Sequence, residues 1–334
     1  MYLDIAVFEN FRNIEQFPFS FSPEMNIIFG GNAQGKTSVL EGIYLFAGGR
    51  SFRRARDKDM IRFGFDCAQV NIAYSDARRE NKMSLSLFRE LKRESLINGV
   101  RVRKLSEFVG NFKAVLFCPE HLSIVRDEPA VRRTFLDSAI SQIKPAYLGT
   151  LIEYGKLLEQ KNSLLRCAED YSASAFEGTF TVLSERLAGD AAYLTEVRNE
   201  YLMRLFAHVC KFLSDMTDGR EEISYRYVSN VSENSGVSSD REENRKKYLS
   251  LMMNGIEREK AARTSVFGAH RDDFDILLGG MAAKIFASQG QQRSIALALK
   301  LAEGGICHEE TGEYPVFLLD RKSTRLNSSH VRLS

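Results

Sequence analysis

The residues most able to do chemistry are Lys36 and Thr37, which end the run Gly30-Gly31-Asn32-Ala33-Gln34-Gly35-Lys36-Thr37. Its spacing, G-x-x-x-x-G-K-T, is that of a phosphate-binding loop. Glycines at 30, 31 and 35 allow φ > 0 and let backbone N–H groups face one centre. A helix opening near Lys36 would add the positive end of its dipole. Lys36 supplies a point charge for β- and γ-phosphates, and the Thr37 hydroxyl a ligand for Mg2+. Ser38 follows on the first turn. The run predicts a cradle for a nucleoside triphosphate with Mg2+; the bland alternative is a glycine turn with no ligand.

Two other stretches can complete such chemistry. Tyr314-Pro315-Val316-Phe317-Leu318-Leu319-Asp320 reads as a buried strand ending in an acid. In that form, known as Walker B, the carboxylate reaches the nucleotide's Mg2+. Thr37 and Asp320 are therefore the expected metal ligands, and Asp320 the expected acid on the metal side of the reaction. Ser288-Gln289-Gly290-Gln291-Gln292-Arg293 opens an apolar helix over residues 294–301. Ser288 offers a hydroxyl, Gly290 a closely approachable N–H and the helix its dipole. Taken alone, Ser288 with Gln291 is a helix N-terminal capping box. No His/Cys cluster has the spacing of a zinc site.

These residues need elements to position them. Residues 25–29 read as a short buried strand into the loop, and 38–45 as the apolar helix leaving it. Residues 2–11 read as an edge or outer strand, with a second alternating stretch over 17–21. Strands and hairpins are expected over 68–74 and 82–88, around an Asn98-Gly99 turn, and over 114–117. From Pro119 the spacing becomes helical, over 131–142, 147–166, 176–213 and 241–263, and predicts a plain helical bundle. Residues 230–239 read as a disordered link. Strand character returns at 275–278 and, after Gly279-Gly280, at 283–286. The division predicted is an ATPase lobe built from 1–118 and 264–320, a helical lobe over 119–263, and a tail over 321–334.

Composition narrows the class. A 44% hydrophobic and 27% charged chain is ordinary for a globular protein with a sizeable core. Five widely spaced cysteines, with no C-x-x-C, point to reduced thiols. The first dozen residues lack a signal-peptide pattern, and no run is apolar enough to cross a membrane, which predicts a cytoplasmic protein. Net charge is only +2. A nucleic acid partner would therefore be met by a local patch, such as the loop carrying Arg50, Arg53, Arg54 and Arg56.

The phosphate loop, the later S-Q-G-Q-Q-R and the V-F-L-L-D strand together resemble the ABC-type ATPase heads of the SMC-like class. An α/β head with an inserted helical lobe is the fold this implies. Further stretches match the RecF family: Glu9-Asn10-Phe11-Arg12-Asn13, Ser51-Phe52-Arg53, Phe117-Cys118-Pro119-Glu120, Arg132-Arg133-Thr134-Phe135-Leu136-Asp137, Gln160-Lys161-Asn162 and Gly268-Ala269-His270-Arg271-Asp272-Asp273. That resemblance implies an ATP-dependent homodimer that binds single- and double-stranded DNA. It implies work in DNA repair and replication, in the setting of DNA damage and the SOS response, with RecO and RecR as partners. Two ATPs would be sandwiched between subunits, with Ser288, Gly290 and Gln291 reaching the partner's γ-phosphate. Arg12 is then a nucleotide-side cation, or else a solvated arginine at a strand end. The arginines at 50–56 meet phosphates or form a solvated loop. Residues 270–273 line the site or make a salt-bridged turn; Arg132 and Arg133 read as an exposed helix face rather than DNA contacts. The competing function is a transporter-like or stand-alone nucleotidase with no DNA role.

The end of the chain departs from the pattern. The family places a second acid after the Walker B aspartate, to handle the attacking water; here Arg321 follows Asp320. The resemblance implies a weak DNA-stimulated ATPase, and this chain is expected to lack the acid that drives it. The tail, free of acids and of any strand or helix pattern, resembles translated adapter sequence.

Overall fold

The computed structural model describes residues 1–231, 237–238 and 240–320. The expectations for 232–236, for 239 and for the 321–334 tail lie outside the described residues.

The first lobe opens on β1 (Tyr2–Phe11) and β2 (Ile14–Ser20), followed by α1 (Lys36–Gly48). Four strands follow: β3 (Cys67–Ser75), β4 (Glu80–Phe88), β5 (Glu94–Ile97) and β6 (Val100–Val102). They form one antiparallel sheet in the order β2-β1-β3-β4-β5-β6. β1 is thus interior, not an edge. It alternates in burial, with Ala6, Phe8 and Phe11 wholly buried under α1. The Asn98-Gly99 hairpin is as predicted: both residues are left-handed, at φ 49° and 81°, as a tight turn between right-twisted strands requires. A one-turn α2 (Leu105–Phe108) leads into β7 (Ala114–Phe117).

Next come α3 (Ser123–Arg126), α4 (Pro129–Ile143), α5 (Pro145–Arg166) and the 45-residue α6 (Ala173–Thr217). Ser172 caps α6 through its hydroxyl. Leu187, Ala191, Leu194, Tyr201, Leu205 and Val209 keep one face of it buried. The bundle is not plain. Residues 223–228, Ile-Ser-Tyr-Arg-Tyr-Val, form β8 (Ile223–Val228). β8 pairs antiparallel with β9 (Asp273–Leu278). Between them lie α7 (Arg241–Asn254) and α8 (Ile256–Ala262), two helices where one was expected. The break falls at Gly255, where a Cβ would sit 2.2 Å from the Phe267 ring. The expected disordered link begins with ordered residues: Val231 is buried, and Asn230 accepts from the Gly268 N–H.

The chain finishes with β10 (Met281–Ala282), α9 (Ala283–Phe286), α10 (Gln289–Thr311) and β11 (Val316–Leu319). Residues 283–286 are therefore a helical turn, not a strand. β11 pairs parallel with β7. One apolar core joins residues 1–118 to Leu318. A second unites the helices with residues 269–306. The stretch after 264 thus packs on the helical side, while its last strand returns to the first lobe.

Candidate functional site

Residues 25–29, expected as a buried strand, are irregular. Met25, Ile27 and Phe29 are exposed. A strand exists only through a neighbour's hydrogen bonds, and among the described residues no backbone partner pairs with 25–29. The loop that follows is built as predicted in outline. Gly30 (φ 155°) and Gly35 (φ 94°) take the conformations glycine permits. The third is Ala33 at φ 64°, rather than Gly31. α1 begins at Lys36 with Gly35 as its N-cap. The exposed loop is folded on itself: Lys36 Nζ donates to the carbonyls of Gly30 (2.8 Å) and Gly31 (2.6 Å), and Gly31 N–H donates to Gln34 Oε1 (2.9 Å).

Two segments separated by 283 residues meet here: Thr37 Oγ1 donates to Asp320 Oδ2 at 3.0 Å. Asp320 is aimed by the parallel ladder, its N–H donating to the Phe117 carbonyl. The strand that carries it is only partly buried, with Leu318 inside and Leu319 exposed, because β7 is its one partner among the described residues. A hydroxyl, a carboxylate and an ammonium at the start of a 13-residue helix suit a Mg2+–triphosphate. Within the loop, Gln34 Oε1 accepts from the Gly31 N–H, and Lys36 Nζ donates to two carbonyl oxygens, which are the two kinds of contact phosphate oxygens would make.

Arg12 is not a free cation beside the loop. Its Nε and Nη2 grip both oxygens of Glu41 (2.9 and 2.6 Å), and Nη1 donates to the Asp59 carbonyl. Glu41, wholly buried on α1, also accepts from Ser51 Oγ and lies 3.6 Å from Arg53. Of the basic loop, Arg56 pairs with Asp59, while Arg50 and Arg54 are exposed. Sequence reasoning missed Glu41. The available signal was a carboxylate in an otherwise apolar helix face.

Ser288 is the N-cap of α10, and the capping box is complete: Gln291 N–H donates to Ser288 Oγ and Ser288 N–H to Gln291 Oε1. The Gln291 amide also donates to Glu221 (3.0 Å). Ser288 and Gly290 are exposed, and no hydrogen bond joins 288–291 to the phosphate loop among the described residues.

Within residues 270–273, Asp272 is the centre of a buried, salt-bridged polar knot, while Arg271 is exposed. Asp272 accepts from the hydroxyls of Thr195 (2.7 Å), Tyr227 (2.8 Å) and Tyr248 (3.2 Å), with Arg198 at 3.6 Å. Burial pushes its carboxyl up, opposed by Arg198. Asp273 holds Arg132 through two bonds of 2.7 and 2.8 Å. Arg133 donates to the Asp272 carbonyl. Arg132 is thus buried, and neither arginine forms the exposed face expected. His270 bonds Tyr154 at 2.7 Å, and burial lowers its imidazole to about 4.

Residues 2–333 match the family model described as the RecF/RecN/SMC N-terminal domain. Similar proteins include the DNA replication and repair protein RecF of Clostridium novyi, 32% identical over 96% of this chain and 85% of that protein. The RecF of Staphylococcus epidermidis is 35% identical, over 98% and 88%. The solved structure of the recombination mediator protein RecF-ATPrS in the RecFOR pathway superposes with a TM-score of 0.91 at 32% identity. That match covers 98% of this chain and 86% of the other. No helix of the described residues is long and apolar enough to cross a membrane.

Proposed function

The chain belongs to the family of RecF, RecN and SMC N-terminal domains, and on that premise we propose that it is an ATP-dependent DNA-binding protein of recombinational repair and replication-gap processing. The observation that carries this reading is the 3.0 Å contact of Thr37 with Asp320 at the N-terminus of α1. It sets a hydroxyl and a carboxylate, of the types that ligate Mg2+, together beside the lysine of a phosphate-binding sequence. Relatives solved with ATP and ATPrS share the fold.

When bound, Mg·ATP would supply the charge that the loop's N–H groups and Lys36 neutralise. Lys36 would release the Gly30 and Gly31 carbonyls, and Gln34 the Gly31 N–H. Thr37 and Asp320 would hold the metal, most of whose shell would be water and phosphate oxygen. Exposed Ser288 and Gly290 would face the γ-phosphate bound by a second copy, making ATP a dimerisation switch. Gln291 would contribute through the capping box that orients Ser288, or reach across after leaving Glu221. DNA would be met by a local basic surface, in the cytoplasm, with RecO and RecR as partners. Because Arg321 follows Asp320, ATP would act through binding, with hydrolysis slower than the family's.

The test is salt-titrated binding to gapped, single- and double-stranded DNA, with and without Mg·ATP. Equilibrium ATP binding by the wild type, Lys36→Ala and Thr37→Ala accompanies it. ATP-dependent DNA affinity that falls steeply with salt is expected, with both variants losing nucleotide affinity at least about tenfold. A chain that stays monomeric and ignores DNA whatever nucleotide is present overturns the reading.

A further inference from the structure

We propose that Asn13 is a positioning residue of the nucleotide site, bracing the phosphate loop from outside through both ends of its carboxamide. The inference rests on the ATP reading above and deepens it.

Asn13 lies in the turn between β1 and β2. Its Nδ2 donates to the Ala33 carbonyl at 2.9 Å, and its Oδ1 accepts from Ser38 Oγ at 3.2 Å. One side chain therefore ties the apex of the loop to the first turn of α1. Ala33 is the loop residue that needs such a tie. At φ 64° it holds a left-handed conformation without glycine's freedom. Pinning its carbonyl fixes the planar peptide to Gln34. The Gln34 N–H must then point to the side opposite Asn13.

Gly35 supplies a second, independent sign of the contact. A Cβ there would lie 2.9 Å from Asn13 Oδ1. The glycine before Lys36 is thus required twice, for its φ of 94° and for the closeness of this amide.

The brace is itself anchored. Asn10, near the end of β1, and Arg12, beside Asn13 on the turn, are both left-handed, at φ 50° and 57°. The turn is held there by backbone bonds, Arg12 N–H to the Met60 carbonyl (2.7 Å) and Arg62 N–H to the Asn10 carbonyl (2.8 Å). The Arg12 guanidinium locks onto Glu41, one helical turn beyond Thr37. A turn fixed to α1 by Arg12 can hold Asn13 still against the loop. This gives the Arg12-Asn13 pair a role in shaping the cradle.

The experiment uses the full chain as wild type, Asn13→Ala and Asn13→Asp. Hydrogen exchange over residues 30–37 is measured without nucleotide, alongside the unfolding midpoint and Mg·ATP affinity. Asn13→Ala removes both hydrogen bonds, so it should speed exchange in 30–37 and weaken Mg·ATP at least about fivefold, while the nucleotide-free midpoint barely moves. Asn13→Asp keeps the acceptor for Ser38 but sets an oxygen against the Ala33 carbonyl, and should weaken binding further. Unchanged exchange in both variants overturns the brace. So does an affinity loss that merely tracks a loss of nucleotide-free stability. A wild-type chain that ignores Mg·ATP overturns the nucleotide reading instead, because exchange reports the brace without ligand.

Discussion

Lys161 and Glu259 are both wholly buried, with Nζ 2.7 Å from Oε2 but not aligned as a hydrogen bond. The ammonium also sits 4.4 Å from the Phe180 ring. Glu259 Oε1 meanwhile accepts from Ser265 Oγ and the Val266 N–H, and Asn162 Oδ1 from the Ser265 N–H. The Gln160-Lys161-Asn162 stretch thus pins the loop that leads into the Asp272 knot. Removing one partner strands a charge, so Lys161→Ala should cost about 3 kcal/mol in urea unfolding. Lys161→Met, which fills the volume but leaves Glu259 alone, should recover little. His270 gives a pH signature. Its folded value, lowered to about 4 by burial, lies below the ordinary 6.5. The unfolded state therefore binds the extra proton first, and this contribution to stability is lost as pH falls from 6.5 toward 4. Wild type should lose about 2 kcal/mol more across that window than His270→Gln; parallel slopes would refute it. Such roles were hard to read from residue types alone. Arg12 and Arg132 look like surface cations until Glu41 and Asp273, distant in sequence, are seen to neutralise them.

Two helices reach the sheets through glycine. A Cβ on Gly42 of α1 would lie 2.4 Å from the wholly buried Phe8 ring. One on Gly304 of α10 would lie 2.4 Å from Phe317, which is 36% exposed. Phe8 has nowhere to go, so Gly42→Ala should destabilise by about 1–3 kcal/mol through overpacking. Phe317 can swing outward, so Gly304→Ala should cost less; the reverse order in denaturation would contradict this packing. Elements with strong local signals were legible: α1, α6, α10 and the Asn98-Gly99 hairpin follow periodicity and turn chemistry. β8 alternates Ile223, Tyr225 and Tyr227, yet it is hidden among helices because its partner β9 is remote. Residues 25–29 fail the other way. Their apolar composition suits a strand, but strand formation is decided by what lies alongside.

At the scale of the molecule, no hydrogen bond among the described residues joins the phosphate loop to the Ser288 corner of the same chain, and residues 30–34 and 288–290 are exposed. A site completed by a second copy predicts that Ser288→Arg will still bind Mg·ATP one to one but no longer dimerise with it, as read by light scattering. Dimerisation that survives this change would remove Ser288 from the interface. The family head and its triphosphate loop were legible from three motifs, because each is a local pattern. Which residues brace that loop was not, because the brace comes from folding the first strands back over it.

The meeting of Thr37 with Asp320 also sets a timetable. The loop and its helix leave the ribosome early, but the carboxylate that faces them is translated 283 residues later. A nascent chain can therefore fold its first sheet long before Asp320 can reach Thr37. Contacts this distant are slow to form. On the proposed reading, Mg·ATP could be gripped only once Asp320 has been synthesised and has reached Thr37.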